Sequence, residues 1–245
     1  MASPDQFPRN RLLAVLPPED FARLRPLLEP VGIELRQVLH RPNEPITDIY
    51  FPESGWVSML MSLEDGDGAE VGLIGREGVV GLPVLLRAEC DDMEALVQAP
   101  GTALRLGTAD FHEACDHSPA FRDLMLHYAL AHHTQVAMTA ACNGRHHTEQ
   151  RLARWLLMGH DRSDGDTYPM THEFLSMMLG LRRAGITVAA GSLQRAGLIR
   201  YSAGRITITD RAGLEDASCE CYGVTRRAFD RLFDPKLPPG RAYRR

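Results

Sequence analysis

The chain has 245 residues, 44% of them apolar and 24% charged, with a net charge of −5. That is the composition of a globular protein able to build a core, with room for two modest domains or one large one. No run of eighteen apolar residues occurs, and Met1–Gln6 lacks a basic stretch leading into an apolar one. Neither a membrane span nor a secretory leader is therefore expected, and the cytoplasm is the expected location.

Charge is unevenly spread. Residues 1–140 hold 10 Arg against 21 acids, whereas residues 141–245 hold 17 basic residues against 11 acids. An acidic front and a basic back suggest that only the back half meets a polyanion. Lys236 is the sole lysine, so arginine serves everywhere and no Arg is functional on composition alone. Five cysteines, Cys90, Cys115, Cys142, Cys219 and Cys221, are scattered and odd in number. They read as reduced thiols rather than a disulfide framework. Cys219 and Cys221 form a C-x-C pair suited to metal or to oxidants. The preferred reading is two half-buried thiols near a helix, and no metal ligand is assigned.

In chain order, residues 17–29 read as a short helix, led by prolines and acids, with Phe21, Leu24 and Leu28 at helical spacing. From about 31 to 107 the segments shorten to strand length. Trp56–Leu63 places Val57, Met59, Met61 and Leu63 on one face. A turn follows at Glu64-Asp65-Gly66-Asp67-Gly68, then a strand at 69–74. Residues 96–99 and 102–106 flank a Pro100-Gly101 turn, and the whole reads as an antiparallel barrel or roll. Gly72, Gly75, Gly78 and Gly81 recur every third residue. Turn geometry explains them best; backbone amides holding an anion are the alternative.

Asp110–Arg162 reads as helical with a break at Asn143-Gly144. The stripe Phe121, Met125, Tyr128, His132, Gln135, Thr139, Cys142 steps by three or four, and with no partner in its own chain it is expected to form a dimer seam. Packing of that stripe on the chain's own barrel is the alternative. A further amphipathic helix covers 148–158, and 161–169 reads as a polar loop.

Residues 171–209 carry the most information. Thr171 is a fitting N-cap for a helix to Leu179, and Gly180-Leu181 supplies a turn. A second helix starts near Arg182, and Phe174, Leu175, Met178, Ile186 and Val188 point to a shared core. That is helix-turn-helix geometry. Arg182 and Arg183 lead the second helix, where a guanidinium fork suits guanine O6 and N7, and Thr187 follows one turn later. Two short strands around Ser202-Ala203-Gly204 make a wing, with Arg200 and Arg205 placed for phosphates.

With these residues in order, residues 10–210 resemble the Crp/Fnr family, the regulators related to the cyclic-AMP receptor protein. The supporting blocks are Thr171–Asp210, Ile49-Tyr50-Phe51-Pro52 with Gly55, and Gly75-Arg76-Glu77-Gly78-Val79-Val80-Gly81. The resemblance implies an α+β chain: an N-terminal double-stranded β-helix or β-roll of cyclic-nucleotide-binding type (1–115), a long dimerisation helix (116–145) and a C-terminal winged helix-turn-helix with an extension (146–245). It further implies a homodimer reading an inverted repeat in double-stranded DNA, with RNA polymerase as a partner. Arg182, Arg183 and Thr187 fall on recognition-helix positions; Thr171 and His172 fall where phosphate is commonly met.

The chain departs from the family in its cassette. Cyclic-nucleotide binders use a Gly-Glu pair and an Arg-Ser or Arg-Thr pair. Here Leu82 follows Gly81, and an alignment anchored on Phe111 puts Asp91-Asp92 at the second pair, where a carboxylate repels phosphate. Arg87 is the nearby substitute. Cyclic AMP or GMP is therefore not expected. The pocket candidates are Gly78, Gly81, Leu82, Arg87, Asp91 and Tyr128. An iron–sulfur cluster is not expected, because no cysteine precedes Cys90. Haem stays open through His127, His132, His133, His146 and His147, whose plain reading is solvated or interface histidine. Signal transfer is expected through a hinge at Asn143-Gly144. The rival reading is a ligand-binding module that acts through protein partners with a vestigial helix-turn-helix. No spacing sets up a nucleophile with its base, so no enzyme is expected.

Overall fold

The computed structural model describes residues 8–64 and 68–234. The Met1–Gln6 start, the Asp65–Asp67 tip of the expected turn and the Pro/Arg-rich tail from 235, expected to be mobile, lie outside the described residues.

The chain opens with α1 (Arg11–Ala14), capped by buried Asn10, whose Oδ1 accepts from Leu12 N and Leu13 N. Then α2 (Pro18–Leu24) begins on a proline with Glu19 and Asp20 in its first turn. Pro26 cannot donate to the ladder, so the helix gives way to a 3-10 turn at Arg25–Leu27, and the expected helix to residue 29 ends early.

Seven strands follow: β1 (Glu29–Ile33), β2 (Val38–His40), β3 (Asp48–Pro52), β4 (Trp56–Ser62), β5 (Gly68–Ile74), and, after the single turn α3 (Leu82–Leu85), β6 (Met93–Ala99) and β7 (Gly101–Gly107). They form two antiparallel sheets, ordered β1-β7-β3 and β2-β6-β4-β5. Ile33, Val57, Met59, Ile74, Val80, Ala95, Val97 and Ala103 fill the space inside. Trp56 and Ser58 are buried as well. They face outward from the sheet, where later helices cover them; Trp56 meets Tyr168 edge-on at 5.6 Å. Leu63 lies past the end of β4 and is exposed, not part of the inward face.

The helical stretch has two breaks. α4 (Thr108–His117) ends at Ser118, whose Oγ accepts from Phe121 N and caps α5 (Pro119–Arg145). α5 runs through Asn143-Gly144 without a break. The joint to α6 (Thr148–His160) is at His146-His147, where His147 N donates to Gln150 Oε1 at 3.2 Å in a capping box. The break in the helix therefore lies three residues beyond the expected Asn143-Gly144.

The segment expected as loop contains β8 (Thr167–Pro169), a third strand for the wing. After α7 (His172–Leu179) and α8 (Arg183–Arg195) come β9 (Ile199–Ser202) and β10 (Arg205–Ile208), in the order β8-β10-β9. α9 (Arg211–Ala217) leads to α10 (Glu220–Phe233), which folds back along α5. Ala228 and Phe229 enter the core built from Leu12, Phe121, Met125 and Tyr128, and Arg11 stacks on Phe233 at 3.8 Å. The chain's end thus braces its beginning.

Candidate nucleic-acid interface and effector cavity

Thr171 Oγ1 accepts from Phe174 N at 3.1 Å, which starts α7, and Gly180 ends it with φ of 58°. Leu175, Met178, Ile186, Ala190 and Leu193 close the core between α7 and α8. Val188 points the other way and is 65% exposed, so it is not a core residue. It shares the open face of α8 with Arg183, Ala184 and Thr187, and α8 contains no acid. Arg182, Arg183, Arg200 and Arg205 are exposed and form no ion pair among the described residues. The wing turns at Ala203-Gly204, both at positive φ (48° and 71°), the signature of a two-residue hairpin.

His172 has partners within the fold. Its ring stacks on Tyr201 at 4.2 Å, and its Nδ1 is 3.1 Å from Thr187 Oγ1. The Thr187 hydroxyl already donates to Arg183 O, so His172 Nδ1 carries the hydrogen and donates. Its Nε2 is then a bare acceptor, and desolvation, with Arg183 beside it, lowers its pKa. His172 therefore ties α7, α8 and β9 together, and of Thr187 the methyl is what remains to present outward.

Between the roll and α5 lies a cavity of about 690 Å³. Its wall is mostly apolar, from Met59, Ile74, Leu82, Leu86, Leu130 and Val136. The polar atoms in it are few. His132 Nε2 and Asp91 Oδ2 are buried with no partner, and burial drives the His132 pKa down to about 4, so its imidazole is neutral. Among the described residues no Arg or Lys lines it.

Two family models match the chain: the cyclic nucleotide-binding domain over residues 31–118 and the Crp-like helix-turn-helix domain over residues 150–217, together well over half of it. The chain belongs to the Crp/Fnr family. It is a transcription regulator of that type, with a cyclic-nucleotide-binding-like roll and a DNA-binding helix-turn-helix. Among solved structures, FixK2 from Bradyrhizobium japonicum is similar with a TM-score of 0.68 at 16% identity, over 78% of this chain and 98% of that one. A CRP-family transcriptional regulator from Thermus thermophilus gives 0.63 at 19%, over 77% and 96%. The c-di-GMP-responsive global regulator CLP from Xanthomonas campestris gives 0.60 at 16%, over 78% and 98%. These identities show a shared fold. No curated protein matches the chain.

Within this Crp/Fnr regulator, the expected pocket residues separate. Gly81, Leu82 and Asp91 line the cavity. Arg87 does not: its guanidinium turns out to Asp116 at 2.8 Å. Tyr128 is fully buried in the core, its hydroxyl donating to Val79 O, and Gly78 packs beneath it. The glycine repeat serves close approach. A Cβ on Gly75 would lie 2.7 Å from Arg162 Cγ, and one on Gly78 would lie 2.6 Å from Tyr128 Oη. Glu77 in this block pairs with buried Arg162 at 2.6 Å.

The expected dimer seam is also corrected. Phe121, Met125, Tyr128, His132 and Gln135 are buried against the chain's own roll and α10, and Thr139 is half-buried beneath Arg154. The alternative of packing on the own barrel is the one observed. The open face of α5 carries Leu126, Leu130, His133, Ala137, Ala140 and Gly144 at alternating steps of four and three. Leu130 is 64% exposed there.

The cysteines differ from expectation as well. Cys219 and Cys221 are buried beside Cys142 and His146, from the far end of α5. No local pattern signals this meeting, because 77 residues separate Cys142 from Cys219.

Proposed function

We propose that the chain binds an inverted-repeat operator as a homodimer, with α8 in the major groove. The observation that carries this reading is an acid-free open face on α8 bordered by four exposed guanidiniums, Arg182, Arg183, Arg200 and Arg205, that form no ion pair among the described residues. Arg182 and Arg183 read base edges, the Val188 and Thr187 methyls suit thymine, and the wing arginines hold phosphate. Thr171 and His172 position the helices. The dimer forms through the a/d-like stripe Leu126, Leu130, His133, Ala137, Ala140 and Gly144, whose small residues let two helices approach closely. Half-sites then lie about one helical turn apart, roughly 34 Å.

The effector occupies the cavity between the roll and α5. A wall with no cation and with a carboxylate at Asp91 disfavours a phosphate, so the ligand is a neutral, largely apolar molecule with a group to pair with His132 Nε2 or Asp91. The c-di-GMP of one structural neighbour carries two phosphates that this wall would leave unpaired. Leu130 and His133 belong both to the cavity wall and to the open stripe, so ligand and partner helix share an edge. That is the route by which binding would shift the recognition helices. The chain catalyses no reaction, works in the cytoplasm where its operator is, and acts beside RNA polymerase.

Selection from fragmented genomic DNA at two salt concentrations tests this. Wild type should enrich one inverted repeat, with affinity falling steeply in salt, and Arg182→Ala/Arg183→Ala should enrich none. Equal enrichment by both proteins would remove the reading helix from the proposal. A stable monomer on DNA would remove the dimer.

A further inference from the structure

The end of α5 and the start of α10 meet at a cluster of side chains that lines no part of the cavity. Cys142 is in the last turn of α5 and His146 is the residue that caps its end. Cys219 is the N-cap of α10, and Cys221 is in its first turn. Three sulfurs and one imidazole nitrogen lie within 4.8 Å of one another. Cys142 Sγ is 3.5 Å from Cys219 Sγ, and Cys221 Sγ is 3.6 Å from His146 Nδ1.

These distances have a specific meaning. Around a tetrahedral ion with bonds of roughly 2.3 Å to sulfur, neighbouring ligand atoms stand about 3.8 Å apart. Two of the separations, 3.5 and 3.6 Å, are close to that spacing, and all four atoms lie within 4.8 Å of one another, near enough to share one ion. A cluster of several irons needs its thiolates farther apart than this.

The surroundings agree. His146 Nε2 is 3.3 Å from the Glu220 carboxylate, which holds the hydrogen on Nε2 and leaves the Nδ1 lone pair facing the sulfurs. A carboxylate behind a ligating histidine is the usual outer support of such a site. Arg151 and Arg154 are buried beside Cys142, and neither forms an ion pair among the described residues. Arg154 donates to the Thr139 hydroxyl and Arg151 to Leu179 O, both neutral. Buried cations are costly without a counter-charge. A divalent ion with three thiolates carries one net negative charge, which offsets part of that cost.

We propose that Cys142, His146, Cys219 and Cys221 bind one tetrahedral divalent metal ion of the zinc class, with Glu220 as the positioning residue for His146. All four positions are protein ligands, so the site is structural. It clips α10, which braces the roll, to the joint between α5 and α6 that carries the DNA-binding unit.

The test uses the full chain, purified under reducing conditions. Metal analysis should find one zinc per chain. Cobalt(II) in its place should give thiolate-to-metal charge transfer and the intense visible bands of a tetrahedral centre. Cys221→Ser should lose the charge-transfer intensity of one thiolate, and Glu220→Gln should weaken binding by about 10- to 100-fold while keeping the cobalt spectrum tetrahedral. If Cys221→Ser does not fold, wild type still decides. Cys142, Cys219 and Cys221 should resist a thiol reagent when loaded and react once a chelator is added, whereas exposed Cys90 should react in both. Any of three results overturns the proposal: substoichiometric zinc with no cobalt charge-transfer band, iron with acid-labile sulfide, or a Cys142–Cys219 disulfide as the resting state of the reduced preparation.

Discussion

Glu70→Gln should make the protein more stable at pH 7 and remove a pH dependence that wild type shows. Glu70 is on β5, 4% exposed. Its Oε1 accepts from Trp155 Nε1 at 2.7 Å, and its Oε2 meets the Ser58 hydroxyl. No cation forms an ion pair with it among the described residues. Desolvation therefore dominates and lifts its pKa from 4.5 to about 8, against the bonds from Ser58 and Trp155 and the more distant Arg154 and Arg162. Below pH 4.5 the acid is protonated folded or unfolded and makes no difference. Between 4.5 and 8 the unfolded chain ionises while the folded one stays protonated, so stability falls as pH rises; above 8 the loss is complete. At about 1.4 kcal/mol per pKa unit, the loss by pH 7 is on the order of 3 kcal/mol. Glutamine keeps the acceptor for Trp155, offers Ser58 a donor, and does not titrate. Denaturant unfolding of both proteins at several pH values from 4 to 8 gives the difference directly, with every other titrating group cancelling. The gap should open steadily across that window in favour of Glu70→Gln. Parallel profiles would refute the reasoning and mean that Glu70 is ionised in the fold.

Four further outcomes follow from the same structure. Leu130→Arg on the open stripe of α5 should yield a folded monomer by sedimentation, whereas Phe121→Ala on the buried stripe should cost about 3–5 kcal/mol of stability and act on the core; a dimeric Leu130→Arg would place the seam elsewhere. Arg200→Ala should weaken binding to all DNA sequences alike and lower the slope of log affinity against log salt by about one; a change in sequence preference instead would make Arg200 a base reader. Glu77→Ala strips the partner from buried Arg162, which also donates to Met158 O, and should cost about 3–5 kcal/mol by denaturant unfolding. A loss within experimental error there would mean that water reaches the guanidinium.

The winged helix-turn-helix was legible in the amino-acid order because its signals are local. Thr171 caps within three residues, Gly180 turns the chain by itself, and Ala203-Gly204 sets a hairpin with only its two neighbours. The departure from the family's Gly-Glu pair was equally visible, since Leu82 after Gly81 is a fact of order. Only the tertiary structure decided which way faces point. A 27-residue helix with two apolar stripes offers both to a partner, and periodicity cannot say which one the roll and α10 will cover. The same holds for Arg87, which has Asp116 within reach and so leaves the cavity, and for Val188, which helical spacing alone could not keep out of the core. It holds most of all for Cys142 and Cys219. Their meeting depends on α10 folding back across the molecule, an outcome of burying Ala228 and Phe229 and not of any spacing between the cysteines. Short-range hydrogen bonds and backbone preferences build the elements; the burial of apolar area across long stretches of chain chooses what those elements face.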